Sequence, residues 1–400
     1  MSAAAATAMQ HIRRGPREVA WLGVLLGILA FFFSLPPVEA RGAWVPILVG
    51  LLGTACGIWA VSRGVGRLAW GASVVGLIGI GLGLAATTSS TTHLHIVVSW
   101  GALIASTLVW ATPLTFAAIG GMFSERSGVV NVGLEGMMLA GAFFGVLGAD
   151  KFNSWAMGLL MAAIAGGCFA LVHAFFAIHL RADQIVGGIA INFLALGVTG
   201  YFFIQVYGDN GSPGNLPRIP NVNIPGLKHV TFFGDAIGQL NLMTWLSFVL
   251  LIVAYVVMFR TPIGLRIRAV GEHPRAAETV GIPVYLTRYL SVTLSGILAA
   301  LGGAYLSVGF VGSFNENMTE GRGFIALAAL IFGNWRPLGA FAAALLFGAS
   351  TALSFRLAIY SDSASVLFQA LPYVLTLIAV AGVIGRPTPP AAVGRPYSKQ

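Results

Sequence analysis

Two polar residues inside an apolar run are the first chemistry this sequence offers. Asn131 and Glu135 stand in FSERSGVVNVGLEGMMLAGAFFG (123–145), one helical turn apart. A continuous helix would place the amide and the carboxylate on one face. Gly133 and Gly136 lower helix propensity and allow a break there. Backbone groups freed at membrane depth survive only against protein or a wet cavity. Two readings follow: a polar patch on a translocation path, or a Glu135 that bonds Asn131 or loop backbone and fixes packing. Asn192, in INFLAL, is a further intramembrane amide in need of a partner, either another helix or a solute. Asn315 and Asn317 crowd a span end together with Glu316, Glu320 and Arg322, where they would meet an entering solute or merely be solvated. Phe324 follows, with a ring able to stack on a planar base or to pack in the core.

Other chemistry is excluded by what is missing. None of the three lysines, Lys151, Lys228 and Lys399, stands in a phosphate-binding P-loop, so the chain cannot be its own ATP motor. No span holds the spaced ionisable set of an ion-driven relay. His173 and His179 are six apart and share no helix face as a metal pair would. His93 and His95 have no acid nearby. We assign no catalytic residue and no metal ligand, and the chain is not expected to be an enzyme. Cys56 and Cys168 lie in apolar stretches and are read as packing residues.

A second polar stretch has a different character. TPIGLRIRAVGEHPRAAETVGIPVYLTR (261–288) carries Arg266, Arg268, Arg275, Arg288, Glu272 and Glu278, although only 9% of the chain is charged. Apolar segments flank it, so it must sit in water, and its basic excess places it in the cytoplasm. Gly271 and Pro274 precede a short helical run, Pro274 to Val280, and Gly281 and Pro283 end it. A short capped helix between spans is a shape another protein can grip. Small Ala276 and Ala277 would permit close docking, while Glu272 and Arg275 would pair with surface charges.

The elements that must position these residues are membrane helices. Hydrophobic residues make up 57% of the chain. Windows of about 20 apolar residues recur, so the expected class is an all-α, polytopic helical bundle with about 10–12 crossings. Spans are expected at about 43–61, 65–87, 96–123, 128–149, 155–180, 184–206, 242–259, 289–312, 338–356 and 364–385. The first apolar run, 21–35, is an uncleaved span or a signal peptide. Pro113 predicts a kink or break in its span. The apolar stretch Gly323 to Gly333 is 11 residues, or about 16 Å as a helix, and so is half of a broken span or re-entrant. Residues 128–149 and 323–349 share a glycine start, a polar interruption and a GAF-containing helix, a faint internal repeat of the kind that builds central transport sites. Gly141 and Gly145 form a GxxxG packing motif. The polar loop 207–240 is long enough for a soluble partner to dock. All but six of the 22 Lys and Arg fall on the cytoplasmic side, so the net charge of +9 is an orientation signal rather than a nucleic-acid surface.

The string around Asn131 and Glu135, taken with TPIGLRIRAVGEHPRAAETVGI (261–282), resembles the integral membrane subunits of ATP-binding-cassette importers. The nearest likeness is to the nucleoside and simple-sugar branch of the branched-chain amino acid and ribose-type permeases, partnered by a basic-membrane-protein-type lipoprotein receptor. The resemblance covers about 96–385. It implies that Gly271, Glu272, Pro274, Arg275, Ala276, Ala277, Gly281 and Ile282 form the coupling helix that an ATPase subunit grips. The residues read above remain the candidates for a translocation path: Asn131, Glu135, Asn192, Asn315, Asn317 and Phe324. The expected partners are an ABC ATPase, a second and related permease, an extracytoplasmic solute-binding lipoprotein and the lipid bilayer. ATP and magnesium belong to the ATPase, and no cofactor is expected on this chain. The implied solute is a nucleoside, with a simple sugar or branched-chain amino acid as alternatives and a secondary transporter as the rival class. The expected layout is a cytoplasmic tail (1–18), an N-terminal hydrophobic extension with the first permease span (19–95), a permease core (96–385) and a disordered cytoplasmic tail (386–400). The expected location is the bacterial plasma membrane, with both termini inside.

Overall fold

A computed structural model describes residues 3–32, 44–88, 100–208, 211–223, 234, 236–357 and 388–398. The expected span at 364–385, His93, His95 and the segment after the first apolar run lie outside these residues. The chain is helical, as its apolar windows predict. Among the described residues seven helices are long and apolar enough to cross a membrane. Two compact units emerge: one of residues 1–103 and 350–386, the other of 104–349 and 387–400.

In the first unit α1 (Ala3–Phe32), α2 (Trp44–Ser62) and α3 (Arg67–Thr88) pack against one another. The helix α1 runs straight through the polar stretch expected to be a tail, with Pro16 inside it. The contact surfaces are small side chains, among them Ala20, Ala60, Ala69 and Ala72, all fully buried. Such residues let backbones approach where lipid removes the hydrophobic drive for helix association.

The second unit holds most of the polar residues of interest. It comprises α4 (Trp100–Arg126), α5 (Leu134–Phe152), α6 (Trp155–Ala174), α7 (Gln184–Tyr207), α8 (Leu242–Arg260), α9 (Pro262–Glu272), α10 (Pro274–Thr279), α11 (Val284–Ala304), α12 (Arg322–Phe332) and α13 (Pro337–Leu357). Parts of α4 and α13 belong to the first unit. The helices α6 and α11 each end in a π-helical turn, Phe175–His179 and Tyr305–Val311. Pro113 does not break α4, which is helical throughout. The core is α5 packed on α6 and α11. A Cβ on Gly141 would lie 2.1 Å from the Ala300 carbonyl oxygen, so the GxxxG motif is a packing surface, as read from the sequence. Around this core, α7 leaves Val186, Phe193, Tyr201 and Ile204 exposed, the face that lipid or another membrane chain would cover.

The polar loop after α7 is less irregular than expected. Within it β1 (Asn221–Asn223) pairs antiparallel with β2 (Gln239–Asn241). Asn241 then caps α8 by accepting from Met243 N at 2.9 Å, and its Nδ2 donates to the Ile219 carbonyl. The 11-residue stretch expected as a short helix is α12.

Candidate functional site

The site is a break in the backbone between α4 and α5. Arg126 ends α4, Gly128 adopts a left-handed φ of +95°, and regular helix resumes only at Leu134. Asn131 therefore sits in the break and Glu135 in the first turn of α5, so the shared face that a continuous helix would give does not form. The reason is largely tertiary: several of the freed backbone groups have partners on other helices. Ser124 Oγ donates to the Val129 carbonyl at 2.7 Å. Gln184, at the start of α7, accepts from Val130 N at 2.8 Å. His173 Nε2, on α6, donates to the Val130 carbonyl at 3.0 Å, since a carbonyl can only accept. Asn192 spans the resumption of helix, donating to the Val132 carbonyl at 3.1 Å and accepting from Gly136 N at 2.8 Å. Asn131 itself is fully buried, donating to Ser295 Oγ at 2.9 Å and accepting from Gly133 N at 3.1 Å. The irregular backbone is thus enclosed by protein, which is the condition for its survival in a membrane.

Glu135 connects this break to a second one. Between Gly312 and Gly321, both with φ of +81°, the chain leaves the π-turn of α11 and loops into α12. Glu135 Oε1 accepts from Thr319 Oγ1 at 2.5 Å and Gly321 N at 2.8 Å, while Oε2 accepts from Gly323 N at 2.6 Å. A carboxylate is thereby placed at the N-terminus of α12, where free N–H groups and the helix dipole favour negative charge. Of the contacts read for Glu135 from the sequence, the one to loop backbone forms, through Gly321 N and Gly323 N. Asn315 and Asn317 are exposed on the loop that Glu135 holds, and Asn317 has a φ of +54°. Phe324 lies in the first turn of α12 with 46% of its surface exposed. Arg322 stays near this loop, donating to the Met318 and Thr319 carbonyls and lying over the Trp110 ring.

The polar stretch 261–288 forms the helices α9 and α10 and the first turn of α11. Thr261 caps α9, with Pro262 at its first position. The short helix expected at Pro274–Val280 is α10, ended by Gly281 in a left-handed conformation with φ of +83°. Glu272, His273, Arg275, Ala276, Thr279 and Val280 are exposed, Val280 at 74%. The two alanines expected to face outward together diverge: Ala276 is exposed, but Ala277 packs inward with Val270, Val284 and Tyr397, and Ile282 packs against that cluster. Gly271 also faces inward, since a Cβ there would lie 2.0 Å from the Arg126 carbonyl oxygen. Arg288 leaves the water-facing stretch altogether. It is buried in α11, where Nε donates to the Ser127 carbonyl at 3.2 Å.

Two further features had no sequence signal. Residues 388–398, expected to be disordered, lie ordered against α9 and α10. Glu125 and Arg126 at the end of α4 both grip Trp335: Trp335 Nε1 donates to Glu125 at 2.5 Å, and Arg126 Nε donates to the Trp335 carbonyl at 2.9 Å. Trp335 also turns the chain between α12 and α13, with a φ of +52°.

Residues 103–380 match the family model described as branched-chain amino acid transport system / permease component. The chain belongs to this permease family. Among curated relatives it is 43% identical over 317 residues to the guanosine ABC transporter permease protein NupQ of Bacillus subtilis (strain 168), covering 76% of this chain and 99% of that one. It is 39% identical over 317 residues to the nucleoside ABC transporter permease protein NupC of Lactococcus lactis subsp. cremoris (strain MG1363), with the same coverage of 76% and 99%. It is 36% identical over 259 residues to the putative glucose ABC transporter permease protein TsgC13 of Haloferax volcanii, covering 64% of this chain and 77% of that one. In this permease, the family match spans both backbone breaks and the exposed helix α10.

Proposed function

We propose that this chain is the membrane-spanning permease subunit of an ATP-driven importer whose solute is a nucleoside. The observation that carries the reading is a continuous path of contact. It runs from the exposed face of α10, through Gly271 against the Arg126 carbonyl, into the break that holds Asn131 and Glu135. Glu135 extends it to the N-terminus of α12. A push on α10 is thereby delivered to both broken helices.

In this reading a separate ATPase subunit, which holds ATP and magnesium, grips the exposed residues Glu272, Arg275, Ala276 and Val280. Pro274 and Gly281 bound the helix that transmits the push. A second, related permease completes the path. A lipoprotein receptor delivers solute to the opposite face, near Asn315, Asn317 and Phe324. The membrane is the bacterial plasma membrane, with both termini on the ATPase side. The buried amide of Asn131 and the half-buried amide of Asn192 are engaged by the break itself. Their part is to hold the break, which the solute passes when the clamps rearrange. The names of the relatives favour a nucleoside, and the likeness to the glucose permease keeps a simple sugar as the second reading.

The test is reconstitution of the chain with its ATPase, sister permease and receptor in liposomes. Guanosine uptake should require ATP, and glucose should not compete. Accumulation by this chain alone, without nucleotide, would overturn the reading in favour of a secondary transporter.

A further inference from the structure

The segment 388–398 touches three points that a coupling mechanism has to move together. The first is α10 and the end of α9. Ala391 N donates to Glu272 Oε2 at 3.1 Å, Ala392 N donates to the Gly271 carbonyl at 2.9 Å, and Tyr397 Oη bonds the Glu278 carboxylate. The second is the start of the first break. Arg288, which holds the Ser127 carbonyl with Nε, donates to the Arg395 carbonyl with Nη1 at 3.3 Å. Its guanidinium also lies 5.8 Å from the centre of the Tyr397 ring. A Cβ on Gly394 would meet Val130 at 3.6 Å, so the segment passes directly over the break. The third is the turn between α12 and α13, where Thr388 donates to Asn334 Oδ1 from both N, at 2.9 Å, and Oγ1, at 3.2 Å.

The physical need for such a brace is plain from the size of α10. A helix of six residues has few internal hydrogen bonds and marginal stability alone. Its one buried residue, Ala277, contributes little apolar surface, and the cluster that receives it is completed by Tyr397. Without 388–398, a force on α10 would be spent on deforming it.

We propose that residues 388–398 are a transmission strap that couples α10 to both broken helices, with Tyr397 as its principal positioning residue. The inference rests on the importer reading, since it assigns the strap a part in passing ATPase movement to the membrane. The strap makes α10, the Ser127–Val130 backbone and the Asn334 turn one mechanical body. Tyr397 does this twice, through its hydroxyl to Glu278 and through its ring against Arg288 and Tyr285.

The experiment uses the full reconstituted importer and reads nucleoside taken up per ATP hydrolysed, alongside recovery of the ATPase with the permease. Ending the chain after Pro387 should leave insertion and ATPase recovery intact and lower the transport ratio about tenfold, within the usual range of coupling energies. Tyr397→Phe keeps the ring contacts and loses the bond to Glu278, so its ratio should fall to an intermediate value. Glu278→Gln retains an acceptor for the Tyr397 hydroxyl and should stay near the parent, whereas Glu278→Ala should behave as Tyr397→Phe. A structural role alone would lower thermal stability without changing the ratio. If the truncated chain fails to insert, the three point variants decide the matter. An unchanged ratio in Tyr397→Phe and Glu278→Ala overturns the strap while the parent's ATP-dependent uptake upholds the importer. Loss of uptake in the parent complex overturns the importer reading instead.

Discussion

Glu135 Oε2 accepts from Gly323 N at 2.6 Å across 188 residues of sequence, joining the first turns of α5 and α12. The approach is so close that a Cβ on Gly323 would lie 2.4 Å from both N and Cα of Glu135. Two helix starts therefore meet backbone to backbone, with a carboxylate from the first turn of α5 serving the start of α12. Each of these helices follows a stretch of irregular backbone, and Glu135 pins the start of α12 to the start of α5.

Replacing Glu135 with Ala leaves two backbone N–H groups and a threonine hydroxyl without their acceptor. Each unpaired buried group costs about 1–3 kcal/mol, so the variant should melt well below the parent. Glu135→Gln keeps an amide oxygen and should retain part of that stability. Gly323→Ala tests the same junction from the other side, because its methyl group forces the helices apart. Both Glu135→Ala and Gly323→Ala should reduce uptake while leaving ATPase recovery unchanged. Normal uptake with normal melting in either would show that the junction is dispensable.

Asn192 is the amide that both donates to and accepts from the resumption of α5. Asn192→Asp retains the acceptor for Gly136 N but puts a carboxylate oxygen against the Val132 carbonyl. Two acceptors then face each other in a half-buried site, which is worse than the simple loss in Asn192→Ala. Melting should therefore fall in the order parent, Asn192→Ala, Asn192→Asp. The reverse order for the two variants would mean that Asn192 contacts water or solute rather than the break.

How much of this was legible in the sequence depends on where each decision was made. The limits of α10 and α12 were readable because proline and glycine punctuate them locally: Pro274 and Gly281 for one, Gly323 and Gly333 for the other. The register of α5 was not. Asn131 and Glu135 fit a helical period, but partners on three other helices, His173, Gln184 and Ser295, draw Asn131 and its neighbours out of it. The order of the strap is not legible for a related reason. Its prolines and glycine suggest disorder by composition, yet its order comes from Glu272, Glu278 and Arg288, more than a hundred residues away. Ala276 and Ala277 could not be told apart, since six residues are too few to show which face of a helix is apolar.

The Tyr397 latch has a pH signature. Its phenol is pushed up to about 12, first by burial and then by the hydrogen bond and charge of Glu278, against the opposing effect of Arg288. A phenol raised in the folded state contributes stability that is complete below its ordinary value and is lost as pH rises through the raised one. Strap docking should hence be unchanged from about pH 6 to about pH 9, well below both values. Limited chymotrypsin cleavage after Tyr397 measures it, and release of the strap within that range would contradict the buried, protonated phenol.

The divergence of Ala276 and Ala277 gives the sharpest test of which face of α10 meets the ATPase. Ala276 is exposed and lines an open pocket with Arg275, Arg395 and Tyr397, so a tryptophan there need not enter the buried cluster that holds Ala277. Ala276→Trp should therefore insert and melt like the parent yet fail to recover the ATPase or to transport. At Ala277 the same side chain must enter the cluster of Val270, Val284 and Tyr397, where overpacking costs about 1–3 kcal/mol. Ala277→Trp should release the strap, exposing Tyr397 to chymotrypsin, and lower melting before any effect on recovery of the ATPase. Equal loss of ATPase recovery in both, with equal melting, would mean that the docked partner reaches both sides of α10 and that the strap gives way to it on binding.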